Sequence, residues 1–292
     1  MADHEATVAG ASGWRAFWNR GGWWKALIVV VVYGVIYQFL PLLFTPLFAG
    51  VEGQALLESP GSVFAQVGFA VLLGSVVLLA FAWTLGWLPG PLFTRQPVYR
   101  RWWMWIAPVL VLIPIVLRLI GIDWGLYSAG VVAVAMLSGL LVGLAEELLF
   151  RGLVVELMRK AGHKEWAVAA VSSLFFALMH STNIFTGQPV GTVAYTLVYT
   201  FCFGVLMYLV MRVTGNLIWA VILHGLTDPT GFLAVGGIDE NASGTTNAAL
   251  ALVGAATWLL MIGALVLLIF IRGQASPRLA AGVAAAPAAR TS

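Results

Sequence analysis

Four ionisable side chains stand in stretches that are otherwise apolar: Glu146, Glu147, His180 and His224. Carboxylates and imidazoles are the groups that most often take up and return protons in catalysis. Two of them are adjacent, in Gly143-Leu144-Ala145-Glu146-Glu147-Leu148-Leu149-Phe150-Arg151. On a helix Glu147 and Arg151 are four apart and can pair along one face, whereas Glu146 is turned away by about 100°. This asymmetry proposes a structural acid, Glu147 with Arg151, and an available acid, Glu146, as candidate general base. His180 closes Phe175-Phe176-Ala177-Leu178-Met179-His180, with Phe176 expected to pack and, secondarily, to shape the site. His224 precedes Asp228 by four, so both can face one cavity, the acid orienting the imidazole or offering its own oxygen. Asn183 and Gln188 are candidates for an outer rim.

Either histidine alone reads as a packing residue bonded to a neighbouring helix. Depth changes that reading. At roughly 1.5 Å per helical residue, Glu146 lies about 20 Å along the chain from Arg159, His180 about 24 Å from Lys164, and His224 about 18 Å from Arg212. Polar groups at one level on three helices, in a solvent that penalises isolated ones, are expected to converge on a cavity holding water.

The elements that must position them are membrane spans. Only 9% of the 292 residues are charged and 61% are hydrophobic, with mean hydropathy +0.96; a water-soluble fold of this size would lack polar surface to cover itself. Apolar stretches of bilayer-crossing length fall at about 25–49, 62–89, 102–120, 127–158, 165–183, 190–211, 216–235 and 248–271. The predicted fold is an all-α polytopic bundle of about eight transmembrane helices around a polar intramembrane cavity. The seventh stretch is broken by His224, Asp228 and Pro229, and the fourth is long enough to tilt or project. Residues 1–24 read as an interfacial N-terminal segment, 25–272 as the bundle, and 273–292, rich in alanine with proline and arginine, as a disordered cytoplasmic tail. The first twenty residues lack a removable signal peptide, so the first span is expected to act as its own signal.

Basic residues follow the positive-inside pattern for a cytoplasmic start. Arg15, Arg20 and Lys25 precede the first span; Arg95, Arg100 and Arg101 follow the second; Arg159, Lys160 and Lys164 the fourth; Arg212 the sixth; Arg272, Arg278 and Arg290 the eighth. The opposite loops carry Glu52, Glu58, Asp123, Asp239 and Glu240. Both termini are therefore expected in the cytoplasm, with Arg118 an exception that could snorkel at the outer end of its span. The net charge of +3 serves orientation, not nucleic acid. A single cysteine, Cys202, excludes an intrachain disulfide and a cysteine-built metal cluster.

Glu146-Glu147-x-x-x-Arg151, Phe176-x-x-x-His180 and His224-x-x-x-Asp228, in this order on separate hydrophobic helices, resemble the signature of the CPBP family of intramembrane proteases, which includes the type II CAAX prenyl endopeptidases (Rce1) and bacterial Abi proteins. The resemblance covers about 127–235. It implies an eight-helix bundle with an internal polar cavity and hydrolysis of a peptide bond in a membrane-associated protein or peptide. By resemblance, Glu146 with His180 would activate water, His224 and residue 228 would stabilise the oxyanion, and Glu147, Arg151 and Phe176 would support them. The usual residue at 228 in that pattern is asparagine. An ionised aspartate would repel an oxyanion, so either it carries a proton, or it orients His224, or the activity is altered. No metal is favoured; zinc remains an option through Glu146, His180 and His224, although the compact His-Glu-x-x-His arrangement is missing. The rival functions are a proton-coupled transporter and a catalytically silent membrane scaffold. The resemblance and the alanine- and glycine-rich composition suggest a bacterial plasma membrane.

Overall fold

The computed structural model describes residues 13–237 and 247–275. Among them the chain is helical with no strand, and eight helices are long and apolar enough to cross a bilayer. These are α1 (Trp23–Phe48), α2 (Pro60–Leu85), α3 (Trp102–Gly121), α4 (Ala129–Lys160), α5 (Glu165–Phe185), α6 (Val190–Thr214), α7 (Leu217–Val235) and α8 (Ala248–Phe270). Each coincides with a stretch expected from sequence, and the protein is an integral membrane protein. The expectations for Asp239, Glu240, Arg278 and Arg290, and for the tail from 276 onward, lie outside the described residues.

In lipid every backbone polar group must find a partner within the protein, and polar side chains meet that demand at helix starts. Ser128 Oγ accepts from the Val131 N–H at 3.2 Å, Asn216 Oδ1 from Ile218 at 3.0 Å, and Asn247 Oδ1 from Leu250 at 3.0 Å, opening α4, α7 and α8. The most enclosed helix is α6. Every residue from Cys202 to Val213 is buried, as an all-round apolar sequence requires.

Helices α4 and α7 pack at backbone distance because small residues face each other. A Cβ on Gly143 would lie 2.3 Å from the Val221 carbonyl oxygen, and one on Gly139 would lie 2.5 Å from that of Gly225. This is the close approach that a Gly-x-x-x-Gly spacing permits. Its consequence is positional: Glu146 and Glu147, one turn beyond Gly143, are held against His224, the neighbour of Gly225. In α7, Pro229 offers no N–H to the carbonyl one turn back. Nearby Thr227 and Thr230 hydroxyls donate to the carbonyls of Leu223 and Leu226 at 2.9 and 2.7 Å.

Several charges sit elsewhere than sequence suggested. Arg159 and Arg212, expected as loop cations, are buried. Arg159 donates from Nε and Nη2 to the two oxygens of Glu165 at 2.9 and 2.8 Å and from Nη1 to Gln96. Tyr208 donates to the same Glu165 and accepts from Arg212 Nη1 at 3.3 Å. The reason is pairing: a carboxylate at the start of α5 makes burial of a cation from α4 affordable in a way that no local sequence spacing announces. Arg118 likewise turns inward, its Nη1 donating to the Thr227 carbonyl at 3.3 Å, instead of snorkelling outward. Gly273 and Gln274, expected within the tail, make contacts to the loop before α5 and its start. The Gly273 carbonyl accepts from the Glu165 N–H at 3.0 Å and Gln274 donates to the Gly162 carbonyl, which gives one of the orphan donors at the start of α5 a partner. At the other terminus a short helix, Gly13–Asn19, lies on the end of α2 through Trp14 Nε1 to Thr84 Oγ1 at 3.2 Å.

Candidate active site

The polar residues of α4 sit where the helix changes its winding. After Glu147 the backbone widens to π-helical bonding over Leu148–Val154 before resuming as an α-helix. Such single-turn bulges recur at functional sites. Glu147 and Arg151 flank this transition and pair at 3.1 Å, both side chains wholly buried. That is the pairing the four-residue spacing predicts.

Glu147 has a second partner that sequence did not indicate. Its Oε1 lies 2.6 Å from His224 Nδ1. A carboxylate oxygen accepts, so Nδ1 carries the proton and donates, and the imidazole is held in one orientation. His224 Nε2 then faces Glu146 Oε2 at 3.4 Å and Asp228 Oδ2 at 3.8 Å. The orienting contact on His224 thus comes from Glu147, while Asp228 stands on the other nitrogen.

His180 sits where α5 passes from α-helical to 3-10 winding. Its Nδ1 is 3.0 Å from the Phe176 carbonyl oxygen. A carbonyl only accepts, so Nδ1 carries a proton and donates. Phe176, 1% exposed, is the hub between these groups. Its ring meets His180 edge-on at 4.9 Å and His224 at 5.8 Å, and the Arg151 guanidinium lies 4.6 Å from its centroid. Phe203 closes the remaining side of His224 at 4.9 Å.

Two recesses flank His224. Glu146 and His180 share a cavity of about 450 Å³ between α1 and α5, also lined by Tyr33, Tyr37, Gln38 and Asn183. Glu146 is one-fifth exposed there, whereas Glu147 has no exposure. Asp228 opens on a separate recess of about 630 Å³ with Arg118, Tyr195 and Tyr199. The single cavity expected for all four residues is therefore divided, with the buried His224 between its halves, because the ring is clamped by Glu147 and walled by Phe176 and Phe203. Gln188 is half-buried and Asn183 alone of the rim pair lines the first cavity.

Tyr33 and Tyr37 were not legible as site residues. Their rings stack at 6.0 Å, and the Tyr33 ring packs on Gly74 of α2. The signal available was two phenols four apart, followed by Gln38, in an otherwise aliphatic span.

Among the described residues no three His, Cys, Asp or Glu side chains form a group able to hold a metal ion. Both Nδ1 atoms are committed, one to Glu147 and one to a carbonyl. Nε2 is left as the free nitrogen of each ring, and because a metal-bound imidazole ordinarily donates its other N–H in just this way, these contacts fix ring orientation without deciding between a metal and a metal-free site.

The fold and this carboxylate–imidazole cluster define a polytopic membrane protein with ionisable groups facing cavities among its helices. Residues 128–230, about a third of the chain, match a family model described as Rce1-like type II CAAX prenyl endopeptidase. The matched range contains Glu146, Glu147, Arg151, Phe176, His180, His224 and Asp228, and runs from the Ser128 cap of α4 into α7. A comparison with curated proteins finds no match.

Proposed function

We propose that this protein is an intramembrane endopeptidase that hydrolyses a peptide bond in a membrane-associated protein or peptide, with Glu146 as general base. The observation that carries the reading is the position of Glu146, which faces the first cavity together with His180 and lies 3.4 Å from His224. A water molecule between Glu146 and His180 Nε2 gives one proton to the Glu146 carboxylate as its oxygen attacks the carbonyl carbon. The resulting oxyanion is stabilised by His224 in its doubly protonated form, Nε2–H donating to the oxyanion while Nδ1–H is held by Glu147. Collapse breaks the C–N bond, and the departing amine takes the proton from Glu146. Glu147 and Arg151 position and do not react, and Phe176 keeps the guanidinium off the imidazoles. Asp228 is a neighbour of His224 Nε2 from the second recess. No metal enters any step.

The substrate reaches the first cavity from the bilayer, where α1 and α5 present apolar side chains beside it. The positive-inside pattern of the loops supports a reading with both termini in the cytoplasm, and the protein is taken as one of a bacterial plasma membrane, with residues 25–272 as the working bundle and the N-terminal segment at the interface. The test is cleavage of a peptide library that includes C-terminally prenylated CAAX peptides, read by mass spectrometry on purified wild type, Glu146→Ala and His180→Ala. Turnover is expected to fall by about 10²- to 10⁴-fold in each variant with unchanged helical content. Full turnover in Glu146→Ala would remove the assigned base, and no cleavage by wild type would leave a scaffold.

A further inference from the structure

At the opposite end of the bundle from Asp123, the start of α3 and the ends of α6 and α8 enclose a third recess of about 530 Å³. Arg100, Arg101, Arg212 and Arg272 line it, with Trp102 and Phe270 among the apolar residues and no carboxylate. We propose that it binds the phosphate of an anionic phospholipid headgroup.

Four guanidinium groups gathered without a facing acid repel one another. The nearest acid behind them, Glu165, is taken by both arms of Arg159 and by Tyr208. The recess is a built feature. Arg212 spans it, donating from Nε to the Tyr99 carbonyl at 3.1 Å and from Nη2 to the Arg272 carbonyl at 2.7 Å. Arg100 is braced by its Nη1 on the Val213 and Thr214 carbonyls at 3.3 and 3.4 Å. Arg272 bonds only main-chain carbonyls at the end of its own helix, including Ile271 at 2.9 Å. Arg101 has no hydrogen-bond or ion-pair partner among the described residues. Forked donors around a concave space match a tetrahedral oxyanion, and Arg is the side chain suited to it.

Position selects a lipid over a free ion. Trp102 is 83% exposed and Trp105 is 55% exposed, beside the recess, at the headgroup level where indoles concentrate. Trp103 packs on Phe270 at 6.2 Å and joins α3 to α8 at the rim. From there the two helices run side by side, Gly263 against Leu110, and both expose aliphatic side chains, Ile106 and Val109 on one and Val266 and Ile269 on the other. A headgroup phosphate in the recess would leave its acyl chains on that surface. Basic pockets between transmembrane helices are a recurrent form of lipid recognition.

The full chain is placed in nanodiscs of phosphatidylcholine with a minor share of phosphatidylglycerol, and lipid retained on ejection is counted by native mass spectrometry. Wild type is expected to retain phosphatidylglycerol preferentially. Arg101→Gln should weaken this about fivefold, and Arg101→Gln with Arg272→Gln about thirtyfold. Arg95→Gln, exposed at the same end but outside the recess, should change nothing. Arg101→Gln removes no contact of the fold, so its result stands if the double variant misfolds. No preference over phosphatidylcholine, or an equal loss in Arg95→Gln, overturns the proposal. A third arm adds inorganic phosphate in detergent; stabilisation by phosphate alone, equal to that by the lipid, overturns the lipid assignment.

Discussion

Glu147→Gln isolates what the adjacent acids do separately. Glu147 Oε1 is shared between Arg151 Nη1 at 3.1 Å and His224 Nδ1 at 2.6 Å, with no exposure of the carboxylate. Glutamine keeps the shape and one acceptor oxygen but removes the charge. Arg151, 1% exposed, loses the one ion pair it makes among the described residues, and its Nε and Nη2 are already buried without hydrogen-bond partners. Breaking a buried pair from one side costs about 3 to 5 kcal/mol, and the weakened charge-assisted bond to His224 adds about 1 kcal/mol or more. Unfolding in a sodium dodecyl sulfate titration should therefore occur at a clearly lower denaturant fraction than for wild type. Peptide cleavage should fall as well, because the His224 ring loses the group that holds it. Glu146→Gln should do the reverse, abolishing cleavage while leaving the unfolding midpoint nearly in place, because Glu146 is partly exposed in the cavity and pairs with no arginine or lysine among the described residues, only with His224 at 3.4 Å. The reasoning is refuted if Glu146→Gln is the destabilised variant, or if Glu147→Gln unfolds and cleaves like wild type.

Three further outcomes follow from the same geometry. Gly143→Ala places a methyl 2.3 Å from the Val221 carbonyl; forcing α4 from α7 should cost about 1 to 3 kcal/mol and lower turnover through the displaced acids, whereas Gly254→Ala in α8, with open space around it, should unfold no earlier than wild type. Asp228→Asn removes a charge 3.8 Å from His224 Nε2 and supplies a donor, so turnover in the peptide assay should hold or rise, and a large loss would show that the carboxylate itself is needed. Exhaustive chelation followed by dialysis should leave turnover unchanged; activity that disappears and returns with added zinc would overturn the metal-free mechanism proposed for Glu146 and give the free Nε2 atoms to a metal.

The eight spans were legible because bilayer thickness writes itself into run length, and α4 through α7 matched almost residue for residue. The Glu147–Arg151 pair was legible for a similar reason, since helical pitch alone brings residues four apart together. What spacing does not carry is contact between helices. Glu147 to His224 and Arg159 to Glu165 depend on which faces meet; for the first pair those faces are set by Gly139, Gly143 and Gly225, whose signal is the absence of a side chain. Tyr33 and Tyr37 escaped because α1 shares only general hydrophobicity with the resemblance that located the other residues. The division of the cavity escaped because walls such as Phe176 and Phe203 look, in sequence, like any packing aromatic.

The widened turn over Leu148–Val154 uncouples the rotational phase of the two halves of α4. Its N-terminal half aims acids at α7, and its C-terminal half aims Arg159 at Glu165. Each residue of an ordinary helix contributes about 100°, so deleting even one aliphatic residue from this apolar stretch would swing one set of partners away from the other. The chain can tolerate exchange of side chains there far more readily than any change in their number.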